Sequence, residues 1–108
     1  MSKIPAAFWQ LLREEGIPLT SAGVGDIGLS PQFAAKAIQI LKDAGIALIG
    51  GETWQRVGER CVPTYDIWNI ERESFPDLQD YLKESWKRAE SHVARCEKRE
   101  DIFLTLGI

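Results

Sequence analysis

The sequence predicts an α+β fold. A small, mostly antiparallel sheet, made of a central hairpin and a C-terminal strand, packs with two N-terminal helices and one long C-terminal helix. Three observations carry this. Two apolar stripes at helical spacing precede residue 45, two strand-like runs flank a short "GER" turn, and a third helical stripe leads into a final "IFLTL". The 108 residues suit a single domain spanning 1–108 with one modest core.

"IPAAFWQLLREEG" reads as the first helix. Pro5 suits its first turn, Phe8, Trp9, Leu11 and Leu12 form an apolar stripe, and Gly16 stops it. "IPLTSAGVGDIGL" follows as an irregular connection. "SPQFAAKAIQILKDAG" is the clearest helix, with Ser30 as cap, Pro31 in the first turn and Gly45 as the stop. Phe33, Ala34, Ala37, Ile38 and Leu41 share one face of it.

"IALIGGETWQRV" reads as a strand, and Gly50-Gly51 within it marks a bulge or a close backbone approach. "CVPTYDIWNI" is the returning strand, with Pro63 confining it to a sheet edge or a strand start. About Pro76 to Arg99 forms a long amphipathic helix whose inner stripe is Leu78, Leu82, Ser85, Ala89, Val93 and Cys96, with Trp86 beside it.

Composition narrows function. With 44% hydrophobic and 27% charged residues the chain is an ordinary folded protein. A net charge of −3 argues against a nucleic-acid binder. No run reaches the ~18 apolar residues of a membrane span. The N-terminus reads as a helix rather than a signal peptide, so the cytoplasm is the expected location. Cys61 and Cys96 lack metal-ligand spacing and are expected to be reduced, partly buried thiols.

The charge is uneven. Asp66, Glu71, Glu73, Asp77, Asp80 and Glu84 face only Arg72 and Lys83 between residues 66 and 84, so the acidic excess lies wholly in that segment. The same segment holds Trp68, Phe75 and Tyr81.

Other motifs say less. "GVGDIG" at 23–28 matches GxGxxG, but the "IPLTSA" before it is a weak strand that itself follows a helix, the next helix begins after the motif ends and no second β-α unit follows, so it reads as a connection rather than a dinucleotide loop. His92, the single histidine, reads as a hydrogen-bonded packing residue on the long helix. Neither a cofactor nor a metal site is expected. Asp66, Glu71 and Glu73 offer a carboxylate pair for a small hydrolase or transferase, with nothing to mark a desolvated cleft. Strand alternation places Tyr65 and Ile67 on one face and Asp66 and Trp68 on the other, and leaves open which face is inward.

The stretch "AIQILKDAGIALIGGETW", then "PTYDIW", then a helix holding Ser85 and Ala89 resembles the immunity protein 40 family of bacterial polymorphic toxin systems. The likeness runs from about Gly16 to Leu106. Glu52 stands where that family more often carries Asp. The resemblance implies a small non-catalytic antidote whose partner is a cognate toxin domain.

Many such toxins attack nucleic acid through basic clefts, which an acidic, aromatic surface would complement. The expected toxin-facing residues are therefore Asp66, Glu71, Glu73, Asp77, Asp80 and Trp68, with Glu52 and Trp54 beside them. Two other readings stand: the carboxylate enzyme, and a self-associating structural domain (a homodimer included) formed through an apolar sheet edge near "IFLTL".

Overall fold

A computed structural model describes residues 4–19 and 26–108. Helix α1 (Ala6–Glu15) precedes strands β1 (Ile17–Leu19) and β2 (Asp26–Gly28). Helix α2 (Pro31–Asp43), the hairpin β3 (Gly50–Val57) and β4 (Arg60–Asn69), a 3-10 turn (Arg72–Ser74), helix α3 (Leu78–Ala94) and strand β5 (Ile102–Gly107) complete the order. The class is α+β, with a three-stranded antiparallel sheet ordered β4-β3-β5. Pro63 lies on β4, an edge strand, where its missing N–H costs no ladder bond.

The main core lies between the helices and one face of this sheet. Phe8 and Leu11 of α1, Ala34, Ala37, Ile38 and Leu41 of α2, and Ala89 and Val93 of α3 meet Ile102 and Leu104 of β5 there. Ser85 takes part through a polar contact. Its hydroxyl, fully buried, accepts from the Leu48 N–H at 2.8 Å and donates to the Leu48 carbonyl at 2.7 Å. One side chain thereby satisfies both backbone groups of a residue that belongs to no strand. The Trp86 indole N–H does the same for the Ile46 carbonyl at 2.9 Å, so Ile46–Ile49 is anchored to α3 and the third strand starts later than its apolar run suggests.

Several local expectations change. Ile17–Leu19 and Asp26–Gly28, read as irregular, pair as a two-stranded antiparallel ladder. Half of the GxGxxG stretch, 23–25, lies outside the described residues; its last three residues form β2. Trp9 is 44% exposed and leans edge-on against Phe8 rather than joining the core. Helix α3 is shorter than predicted because Asp77 caps it, accepting from the Gln79 N–H at 2.8 Å, and because turns follow Ala94. Leu78, at its first turn, is half exposed and drops out of the inner stripe. Ser30 sits at the N-cap of α2 but makes no side-chain cap bond.

The hairpin turn between β3 and β4 is two residues, Gly58-Glu59, and Gly58 adopts φ 66°. That left-handed conformation suits glycine, which has no Cβ to clash.

The second face of the sheet is half covered. The β1–β2 ladder lies over Trp54 and Phe103, and Leu19, Trp54 and Cys61 form a small second core beneath it. Leu29 bridges to Leu104 of β5 through two 2.8 Å backbone bonds. Ile102 and Leu104 point inward and are buried, so β5 presents no continuous apolar edge.

Candidate functional site

The uncovered part of that second face gathers the chemically distinctive residues. Glu52 pairs with Ile67 and with Thr105, so all three project to the same, outer side. Ile67 is 59% exposed and Glu52 is exposed. Trp68 pairs with Gly51 on the inner side and packs partly buried against the main core. Tyr65 and Ile67 are therefore the outward residues and Trp68 is the inward one.

Between Glu52 and Trp54 the ladder is irregular. Glu52 opposes Ile67 but Trp54 opposes Pro63, so Thr53 alone stands against Thr64, Tyr65 and Asp66. At the centre of this bulge Tyr65 adopts φ 66°, the one non-glycine residue with positive φ among those described, and its side chain is 85% exposed. An aromatic residue in this region is strained by roughly 1–2 kcal/mol relative to its ordinary conformations. Such a conformation persists only where its neighbours hold it.

The neighbours do hold it. Behind Tyr65, the buried Thr53 donates its hydroxyl to the Asp66 carbonyl at 2.7 Å. Thr64 donates its hydroxyl to the Thr53 carbonyl and accepts from the Asp66 N–H, both at 3.3 Å. From α3, His92 Nε2 lies 3.2 Å from the same Asp66 carbonyl, and Arg95, at the helix's C-cap, donates to Asp66 Oδ1 at 3.1 Å. A carbonyl oxygen only accepts, so Nε2 carries the proton and the ring is the Nε2–H tautomer. Both residues flanking Tyr65 are thus pinned to the sheet, and Asp66 to the helix as well.

The electrostatics of this buttress favour a neutral histidine. Burial pushes the His92 pKa below its ordinary value, against the opposing pull of the Asp66 carboxylate 3.7 Å away. Arg95 adds a smaller push in the same direction as burial. Cys96, one turn on, has its thiol pKa raised, first by burial and then by Asp66, so it is a packed thiol and not an activated nucleophile.

The sequence-predicted residues divide. Glu52, Glu71, Glu73, Asp77 and Asp80 are exposed. Asp77 spends one oxygen on the helix cap, and Asp80 lies in the first turn, where its charge complements the helix dipole. Asp66 is committed to His92 and Arg95, a structural role the acidic-surface reading did not give it. Trp54 is a correction. It is only 4% exposed, because the β1–β2 ladder roofs its end of the sheet, and its indole N–H has no partner among the described residues. Trp68 is likewise core-facing.

The large aromatic that stands outward on this face is Tyr65. Its positive φ carries no composition signal.

Among the described residues no three His, Cys, Asp or Glu side chains converge as metal ligands, and no helix is long and apolar enough to cross a membrane. Glu71 and Glu73 lie exposed on and beside the 3-10 turn, not in a desolvated cleft. Residues 18–108 match the family model described as Immunity protein 40. No curated protein and no solved structure matches the chain.

Proposed function

This chain belongs to the immunity protein 40 family, and we propose that it neutralises a cognate toxin domain in the cytoplasm by binding it, without catalysis of its own. The observation that carries the binding surface is Tyr65, an aromatic side chain held out from the sheet by a strained backbone with a hydrogen-bonded support behind it. A tyrosine on a held backbone has only two side-chain torsions to fix on association, and tyrosines are enriched at the energetic centres of interfaces. Ile67 and Glu52 extend the surface along the sheet.

The exposed acids Glu71, Glu73, Asp77 and Asp80 lie outside this anchor and contribute mainly to encounter. Exposed acids steer a basic partner and raise the association rate, with a strong dependence on salt.

Two measurements test the reading. Co-expression with the toxin domain encoded beside it should restore growth and yield a complex that co-purifies; expressed toxicity without rescue or complex would reject the antidote role. In the complex, Tyr65→Ala should speed dissociation. The triple change Glu71→Gln, Glu73→Gln and Asp77→Asn should slow association and flatten its salt dependence. Asn keeps most of the helix cap, so folding is preserved. A salt dependence untouched by the triple change would remove the acids from the interface.

A further inference from the structure

The outer face of the sheet carries a groove of about 390 Å³ whose lining includes Ile49 and Ile67. Gly50 and Gly107 lie in its lining beside the outward Glu52 and Thr105. A Cβ on Gly50 would come within 2.7 Å of the Trp68 carbonyl oxygen, and one on Gly107 within 3.1 Å of the Gly50 carbonyl oxygen. Close strand approach therefore excludes a side chain at Gly50 and crowds one at Gly107, which leaves backbone open on this part of the lining.

Ile49 and Ile67, both on this lining, are 53% and 59% exposed, large values for isoleucines. Glu52 stands on the same lining. Its backbone N–H is held by Thr105 Oγ1 at 3.1 Å, but among the described residues no cation or donor meets its carboxylate. At the groove's Asn69 end, Arg88 reaches the Asn69 carbonyl at 2.9 Å and is already paired with Glu84 at 2.7 Å.

An apolar channel with an unpaired carboxylate fits one kind of side chain: an aliphatic stem ending in a cation. Lysine and arginine bury such stems against apolar surface while the charged head finds a partner. We propose that this groove receives a single lysine or arginine of the toxin, with the stem between Ile49 and Ile67 and the cation on Glu52. The proposal rests on the antidote reading and names the chemistry of its partner. A neutral aromatic or aliphatic guest would fill the channel but leave the Glu52 carboxylate desolvated and unpaired, which disfavours it.

The test uses the complex of the full chain with its toxin domain, after wild-type rescue has established that complex, so a failed rescue reports on the antidote reading alone. Glu52→Gln keeps the shape and removes the charge, and should weaken binding by about tenfold or more, as expected for a charge-assisted contact. Thr105→Tyr, which fills the groove from its outward face, should weaken binding with Glu52 intact. Circular dichroism and thermal melts of both variants confirm folding. Alanine substitution of the toxin's lysines and arginines, combined with Glu52→Gln, should reveal one basic residue whose effect is lost in the Glu52→Gln background. Binding within twofold of wild type for folded Glu52→Gln, or additive effects for every basic residue, would overturn the proposal.

Discussion

The Asp66 carbonyl oxygen accepts from the Thr53 hydroxyl of the neighbouring strand and from His92 of α3, at 2.7 and 3.2 Å. This one oxygen joins the bulge in β4 to the helix behind it. The exposed Tyr65 is presented by that junction, so the stability of the support and the binding competence of the surface are coupled.

Stability should depend on pH through His92. Its folded pKa lies below the ordinary 6.5, so the unfolded chain takes up the proton first as pH falls. The contribution of neutral His92 is complete above about pH 6.5 and is lost progressively as pH drops through the depressed folded value. Asp66, Arg95 and Cys96 are the titratable or charged groups around the ring. Urea midpoints should therefore fall between pH 7 and pH 5 in the wild type and fall less in His92→Gln. Parallel curves for the two proteins would show that His92 titrates as it does in the unfolded chain.

Ser85→Ala should destabilise the fold by about 1–3 kcal/mol, because it strands a buried Leu48 N–H and carbonyl and not merely a hydroxyl. Ser85→Cys, of similar size but a poorer hydrogen-bonding group, should recover little of the loss. Denaturant titration reads both. A cost under ~0.5 kcal/mol for Ser85→Ala would mean that Leu48 finds other partners.

Tyr65→Asn should separate folding from binding. Asparagine tolerates the left-handed region better than tyrosine, so the melting temperature should stay level or rise, by no more than the equivalent of ~1 kcal/mol. Affinity for the toxin should fall in the same variant. A variant that loses stability would show that the tyrosine ring packs on the surface rather than standing free.

Both cysteines should behave as closed thiols. Cys61 lies in the small core under the β1–β2 ladder and Cys96 in the main core, and neither is in a disulfide. Thiol reagents should react slowly with the native protein and titrate two thiols after unfolding. Burial raises the Cys96 pKa, so its thiolate should form only at a more alkaline pH than an ordinary cysteine requires.

Much of the fold was legible in local chemistry. The spacing of Ala34, Ala37, Ile38 and Leu41, bounded by Pro31 and Gly45, required a helix with one buried face, and those four residues are buried. The Gly58-Glu59 turn and the apolar runs around it required a hairpin, and Pro63 put its returning strand at an edge. The alternation that separates Tyr65 and Ile67 from Asp66 and Trp68 was also in the sequence. So was the acidic segment, because charge is a property of composition.

What the chain alone left open was the direction of that alternation. Both faces of β4 carry a large aromatic and an isoleucine or aspartate, so local hydrophobicity does not choose between them. The choice is made by the helices, which cover the Trp68 face, and by the β1–β2 ladder, which covers Trp54 but stops short of Ile67. Burial of a strand residue depends on what distant segment lies over it, and Leu19 is 35 positions from Trp54. Likewise Asp66 and His92 meet across 26 positions, and the positive φ of Tyr65 exists only because those contacts hold it there. Sequence determined which residues could form each element; tertiary packing decided which of them remained on the surface for a partner.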